Sequence, residues 1–318
     1  MSKVKSYLSL IRFSHTIFAM PFAMIGFALG AFYLYYVDPW LLDWRFNWVG
    51  QWNLHRTIME QEGFHFRSGW GLLLLVILCM VFARSAAMAF NRWLDVKWDR
   101  LNPRTAIREI PAGIISKNSA LRFVAINCLL FIACTWFINP LCFALSFVAL
   151  AVVLGYSYTK RFTPLCHLVL GLGLSLAPIG AFLAVTGRFN LLPILFSLTV
   201  LFWVSGFDII YALQDEEFDK SQRLYSMPSW LGKTKALRVS ELLHLFSTAC
   251  VVAAGFYGRF GWLYWGGVAV FIGMLIYQHM IVKPNDLSRV NLAFMTANGI
   301  ASVVFAAFVI TDLCVWTR

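Results

Sequence analysis

Apolar runs dominate the chain, and polar positions interrupt them in only a few places. A bilayer core about 30 Å thick is crossed by roughly 20 apolar residues in a helix. Nine runs reach that scale, at about 15–37, 70–90, 120–137, 140–158, 165–186, 191–212, 237–257, 262–281 and 292–315. Most connections are short, as at Ile138-Asn139 and Gly187-Arg188-Phe189-Asn190, which predicts antiparallel neighbours. The pattern predicts one all-α, membrane-embedded domain over residues 1–318 with no linker. Its basic start has the look of a signal peptide, but the apolar run that follows is too long and lacks a small-residue cleavage site, so it is expected to be the first span. The one long interruption, residues 38–69, places Trp40, Trp44, Trp48 and Trp52 four residues apart. On a helix they would form an aromatic stripe of the kind found at the headgroup level.

Composition agrees with the pattern. The chain is 60% hydrophobic, 17% aromatic and 13% charged, against roughly 45–50% apolar and 25% charged in soluble domains. The net charge of +11 does not point to nucleic acid, because Lys and Arg of a membrane chain collect in cytoplasmic loops and against anionic lipid. With the loops threaded alternately, six of the 26 Lys and Arg (Arg45, Arg56, Arg67, Arg188, Arg259 and Arg318) fall on one side and the rest on the other. That asymmetry puts the N-terminus inside. The seven Cys lie singly in apolar runs, without a CxxC pair or zinc spacing, and are expected to be small buried hydrophobes.

The exceptions to apolarity carry the candidate chemistry. Residues 84–113 place Asn91, Asp95 and Asp99 at four-residue spacing, and residues 208–220 place Tyr211, Asp215 and Asp219 at the same spacing. Four residues on a helix advance about 400°, so each set forms a slowly drifting stripe. Both follow spans that run in the same direction, so both are expected at the cytoplasmic face. Eight of the 15 Asp and Glu (Asp95, Asp99, Glu109, Asp208, Asp215, Glu216, Glu217, Asp219) fall in these two stretches. Two facing carboxylate stripes repel unless cations sit between them. Mg²⁺ fits, since it prefers oxygen and binds through one or two carboxylates plus substrate phosphates, and the missing ligand is then a diphosphate. Basic residues for it stand nearby: Arg92, Lys97, Arg100, Arg104, Arg108, Lys160 and Arg161. Arg84 lies inside a span, two turns before Asn91, and is expected to have a buried partner such as a carboxylate. Asp208 and Tyr211 read either as chemistry or as a helix-packing pair, and His15 and His167 as interior residues. The chain has no GxxxxGK, GxGxxG or GxSxG motif, which argues against a nucleotide-driven pump, a dinucleotide enzyme and a serine hydrolase.

These residues resemble the UbiA superfamily of membrane prenyltransferases. Asn91, Asp95 and Asp99 match its first motif, with Arg104, Thr105, Arg108, Pro111 and Gly113 downstream and Arg84 seven residues before. Asp208, Tyr211, Asp215 and Asp219 match the second motif, and Tyr156, Lys160 and Arg161 the Tyr-x-x-x-Lys-Arg of the fourth span. Many members have Asp after the Asn, where this chain has Arg92. The Asn-Arg form is similar to the 4-hydroxybenzoate polyprenyltransferase-like branch, which includes the menaquinone enzyme of the futalosine pathway.

The resemblance implies a bundle of about nine transmembrane helices around a central cavity in a bacterial inner membrane, with residues 38–69 as an outside-facing insertion. It implies that two Mg²⁺ are held by Asn91, Asp95, Asp99, Asp215 and Asp219. Arg104, Arg108, Tyr156, Lys160 and Arg161 would bind the diphosphate of a polyprenyl donor. Asp208, Tyr211 and Arg84 would act on an aromatic acid, either 4-hydroxybenzoate or 1,4-dihydroxy-6-naphthoate. Two other readings use the same features. A haem-farnesylating enzyme shares the fold and first motif, and a secondary transporter would place its carboxylates at the midplane.

Overall fold

The structure, a computed structural model, describes residues 3–11, 18–33 and 69–315. His15, the Trp40–Trp52 stripe and all but the last residue of the expected insertion lie outside the described residues. Within them the chain is helical, with one isolated bridge between Lys283 and Asp286. The helices are α1 (Lys3–Leu10), α2 (Met20–Phe32), α3 (Gly69–Leu94), α4 (Val96–Leu101), α5 (Lys117–Ile138), α6 (Pro140–Thr159) and α7 (Cys166–Thr186). There follow α8 (Leu191–Ala212), α9 (Glu216–Ser221), α10 (Met227–Leu231), α11 (Lys233–Tyr257), α12 (Trp262–Ile281) and α13 (Asn298–Val315). Eight helical segments are long and apolar enough to cross a membrane, and α2 is a shorter apolar helix within the first expected span. The chain is a multi-pass membrane protein.

The predicted short connections are made by capping residues. Asn139 ends α5 and starts α6: its Oδ1 accepts the Cys142 N–H at 2.8 Å, while its Nδ2 donates to Leu183 O at 2.9 Å. This satisfies an orphan helix donor and ties the hairpin to α7. Gly187 closes α7 in the left-handed region at φ 67°, and Asn190 caps α8 by accepting from Leu192 N–H. That left-handed cap favours glycine. α2 and α7 approach closely where Gly26 meets the Pro178 backbone, leaving no room for a Cβ.

The bundle has a filled side and a hollow side. Phe22 of α2, Trp203 and Phe196 of α8, Tyr264 and Phe271 of α12 and Phe305 of α13 are fully buried and form one aromatic core. Their ring centroids are 5.3–6.4 Å apart in tilted and edge contacts, the spacing aromatic pairs favour. The last span differs from a single regular helix. Leu292–Ala297 forms a π-helical turn, a feature often found near functional sites. Asn298 holds it: Nδ2 donates to Ala293 O and Phe294 O, and Oδ1 accepts from Trp203 Nε1 and Gln278 Nε2. The turn sets the Phe294 ring against Tyr211 at 4.3 Å between centroids. On the hollow side, α3, α5, α6, α7 and α8 surround an apolar cavity of about 520 Å³.

Candidate active site

Each acidic stretch breaks its helix at the middle aspartate. Asp95, between α3 and α4, has φ −88° and ψ 4°; Asp215, between the 3-10 turn Leu213–Asp215 and α9, has φ −104° and ψ 3°. Both occupy the bridge region, where many active-site residues sit. Backbone bonds run through the first break, Asp95 N–H to Asn91 O at 2.9 Å and Asp99 N–H to Asp95 O at 2.8 Å. The expected stripe is therefore present, but kinked.

The two stretches come together. Asn102 Nδ2 donates to Asp215 Oδ1 at 3.2 Å, and Arg104 grips the same carboxylate through Nε at 3.1 Å and through Nη2. Arg104 Nη1 also donates to Tyr211 Oη at 2.8 Å, with the guanidinium 5.3 Å from that ring's centre. Burial works against the Arg104 charge, but Asp215 and then Tyr211 reverse the effect and raise its pKa above the usual value.

Between the stretches lies a polar chamber of about 230 Å³. Asn91, Asp95, Asp99, Arg104, Arg108, Tyr156, Lys160, Asp208, Tyr211, Asp215 and Asp219 all line it. Lys160 Nζ lies 2.7 Å from Asp95 Oδ2, and Arg161 Nη2 donates to Asp95 Oδ1 at 2.8 Å from behind the wall, stacked 4.5 Å over Trp98. Arg108 Nη1 donates to both oxygens of Asp99, at 2.9 and 3.0 Å. Asp219 differs: among the described residues it accepts only the Ser226 hydroxyl, at 2.9 Å.

The chamber and the apolar cavity share a wall of Asn91, Arg108, Tyr156, Leu170, Asp208 and Tyr211. Arg84 lies on the apolar side. Its expected carboxylate partner is not found among the described residues, and its buried Nε has no hydrogen-bond partner. Arg108 Nε is orphaned in the same way. A buried unpaired donor costs about 1–3 kcal/mol, more when charged, so both guanidinium groups have unused capacity for an anion.

Three of the nearby basic residues do not line the polar chamber, although Arg92 borders the apolar cavity. Arg92 is buried in an ion pair with Glu109, which also accepts from Ser9 of α1. Lys97 and Arg100 are exposed. Of the concentrated acids, Glu109 is spent in that pair, Glu216 binds Lys220 and Lys233, and Glu217 is exposed. Proximity in sequence overcounted both sets because a helix turns its side chains in every direction.

Sequence reading did not single out Asn102, Ser226 or Phe294, and took His167 for an interior residue. His167 is indeed buried, but it bonds Asp208 at 2.7 Å. Its place at the start of a span, at the same end as the acidic stretches, was the signal available.

The profile of the UbiA prenyltransferase family matches residues 64–300. The chain belongs to that family. It is a membrane prenyltransferase, which sets the transport reading aside. The chain is 30% identical over 243 residues to a 4-hydroxybenzoate octaprenyltransferase of Nitrosospira multiformis, covering 76% of this chain and 83% of that protein. It is 31% identical over 242 residues to the enzyme of the same name from Nitrosomonas europaea, covering 76% and 82%. The apo structure of a UbiA homolog from Aeropyrum pernix K1 superposes with a TM-score of 0.72 at 27% identity, over 96% of this chain and 98% of that one. A UbiA homolog from Archaeoglobus fulgidus, bound to GPP and Mg²⁺, shares the fold with a TM-score of 0.69 at 19% identity, over 97% and 99%.

Proposed function

We propose that this UbiA-family enzyme transfers the chain of a polyprenyl diphosphate to a ring carbon of a hydroxylated aromatic acid in quinone biosynthesis. 4-Hydroxybenzoate is the first candidate acceptor, supported by the names of the relatives from Nitrosospira and Nitrosomonas, and 1,4-dihydroxy-6-naphthoate is the second. The observation that carries the reading is the pair of orphaned guanidinium nitrogens at Arg108 and Arg84. One lies on the wall of a chamber rich in paired charges, the other in an apolar cavity, as a diphosphate donor and a carboxylate acceptor require.

The donor set suits Mg²⁺, the ion that the Archaeoglobus homolog binds together with GPP. Asn91, Asp95, Asp99, Asp215 and Asp219 offer only hard oxygen ligands toward the chamber. Among the described residues no three of His, Cys, Asp and Glu group tightly enough to hold an ion unaided. This accords with an ion that binds through one or two carboxylates and the substrate's phosphates. Two ions, one per stretch, would be held this way. When bound, they supply Lewis acidity that offsets the charge developing on the departing diphosphate.

The chain's own residues carry the rest. Arg104, Arg108 and Lys160, each resting on a carboxylate, exchange that partner for phosphate oxygens and clamp the leaving group, while Arg161 stays behind the wall on Asp95 and adds positive charge at longer range. Tyr156, on the shared wall, adds a hydroxyl beside it. The apolar cavity takes the isoprenoid tail and keeps water from the allylic cation once the C–O bond breaks. Arg84 holds the acceptor's carboxylate there. Asp208, with Tyr211, orients the acceptor's hydroxyl and takes its proton as ring carbon attacks the allylic cation. The ring regains aromaticity when the hydrogen on that carbon is lost and the proton held by Asp208 returns to the acceptor oxygen. The site faces the cytoplasm from a bacterial inner membrane, an orientation supported by the distribution of Lys and Arg.

The test uses membranes containing the protein, a radiolabelled long-chain polyprenyl diphosphate and each acceptor in turn, with Mg²⁺ or EDTA. The expected result is Mg²⁺-dependent labelled lipid from one acceptor, with an Arg84→Leu variant raising that acceptor's KM about tenfold or more. No product from either acceptor would reject the proposed substrates.

A further inference from the structure

His167 has no part in the scheme above, yet its surroundings are specific. It is 3% exposed, and its ring joins two elements. Nδ1 lies 2.7 Å from Asp208 Oδ2, and Nε2 is 3.2 Å from the Met227 backbone nitrogen at the start of α10. A backbone N–H only donates, so Nε2 must present its lone pair and Nδ1 must carry the proton. That proton points at Asp208.

Asp208 has a complementary arrangement. Among the described residues Oδ2 has this one partner and Oδ1 has none, while the side chain faces both the polar chamber and the apolar cavity. The α7–α8 contact fixes the geometry. Gly171, one turn after His167, sits so close to Ser205 and the Leu201 backbone that a Cβ would collide with both. Ser205 Oγ donates to His167 O at 3.1 Å. Backbone and ring of His167 are thus both tied to the helix that carries Asp208.

We infer that His167 is a positioning residue for the acceptor half of the reaction: it occupies Asp208 Oδ2 and so presents Oδ1 to the acceptor's hydroxyl. The inference rests on the proposed transfer to a hydroxylated acceptor. A different role would be purely structural, with His167 anchoring the turn at residues 226–227. Since Ser226 binds Asp219, that role predicts damage on the donor and metal side instead.

Two variants separate the roles. His167→Leu keeps bulk and removes the donor; His167→Asn restores an amide N–H near the Nδ1 position. A hydrogen bond to a charged group corresponds to roughly 10- to 100-fold. The Leu variant is expected to lower kcat/KM for the acceptor by that factor, with donor KM and Mg²⁺ half-saturation within about twofold of wild type. The Asn variant recovers a large part of the loss. In an Asp208→Asn background, His167→Leu adds less than about twofold. Wild-type kinetics in His167→Leu, an equal rise in donor KM, or full additivity with Asp208→Asn would each overturn the inference.

A second readout needs no turnover, and so separates this inference from the choice of acceptor. In ¹⁵N-histidine-labelled protein, the resonances lost in His167→Leu are expected to report a neutral ring protonated at Nδ1 and to shift in Asp208→Leu. Protonation at Nε2 alone would overturn the inference even if the substrates are right. The expected tautomer in a protein that prenylates neither acceptor would reject the substrates alone.

Discussion

The two acidic stretches break their helices in nearly the same way and have very different electrostatics. Asp95 and Asp215 break their helices at almost the same φ and ψ, so each side chain leaves the helix axis toward the shared chamber. Yet Asp95 is 2% exposed and held by both Lys160 and Arg161, and Asp99 is held by Arg108. The second stretch supplies no cation to its own stripe. Asp215 depends on Arg104 and Asn102 from the loop after the first stretch, Lys220 is turned to Glu216, and Asp219 has only a hydroxyl. The two halves are therefore not equivalent. The first holds three cations on its two carboxylates and also pairs part of the second, while Asp219 is left without an ion pair among the described residues, Lys160 acting on it only at longer range. Asp219 is therefore the carboxylate of the two stripes least engaged by the protein's own cations.

The sharpest test of this difference removes the middle carboxylates one at a time. Asp95→Ala strands two cations, Lys160 and Arg161, around a carboxylate side chain that is 3% exposed, whereas Asp215→Ala frees one cation, Arg104, from a carboxylate side chain that is 20% exposed. Removing one partner of a buried pair costs about 3–5 kcal/mol, and the cost falls toward about 1 as the pair becomes exposed. Both variants should lose transfer by roughly a hundred- to a thousand-fold, on the scale of removing a group that stabilises charge in the transition state. Only Asp95→Ala should also lower the melting temperature in detergent, by several degrees. Equal melting temperatures for the two variants would break the comparison.

A smaller effect is expected at the bridge between the halves. Arg104→Lys keeps the charge but loses the fork that reaches Asp215 twice and Tyr211 once. The kcat/KM for the donor should fall by about 10- to 50-fold, with acceptor KM changed less than about threefold. A drop confined to the acceptor would mean that Arg104 serves Tyr211 rather than Asp215.

How far the sequence reveals this site follows from the kind of signal each residue leaves. The run of membrane-length helices, their short connections and the meeting of the two stretches are legible because bilayer thickness and span direction constrain them strongly. Eight of the nine expected spans are long apolar helices, and the first is represented among the described residues by the shorter α2. Four-residue spacing likewise picks out Asp95, Asp99, Asp215 and Asp219. Partnership is not legible in the same way. Arg92 and Arg108 look alike along the chain, but one turns to Glu109 and the other to Asp99, a choice made by helix rotation and by the loop at residues 102–116. His167 and Ser226 lie 41 residues before Asp208 and seven after Asp219. The first separation marks a contact only once α7 and α8 pack, and the second only once the turn into α10 forms. The π-helical turn that presses Phe294 on Tyr211 arises from Trp203, Gln278 and Asn298, three residues on three helices, and no local period announces it.

The smallest of these effects bears most directly on the asymmetry, because it concerns the carboxylate with no ion pair among the described residues. Asp219→Asn removes a charge without stranding a partner: the Ser226 hydroxyl can donate to an amide oxygen as it does to the carboxylate. Stability should therefore be nearly unchanged. If the charge at Asp219 serves to attract an added ion, the Mg²⁺ half-saturation should rise by about tenfold, and saturating Mg²⁺ should restore most of the turnover. Asp99→Asn provides the contrast. It weakens the hold on Arg108, so the phosphate clamp is disturbed, donor KM changes, and excess Mg²⁺ corrects little of it. The ratio of the two half-saturation shifts then measures how unevenly the halves share metal binding. A ratio near one, with both variants rescued alike by Mg²⁺, would mean that the cations around the first stretch do not substitute for metal. The two stretches would then be matching arms of one site despite their different partners.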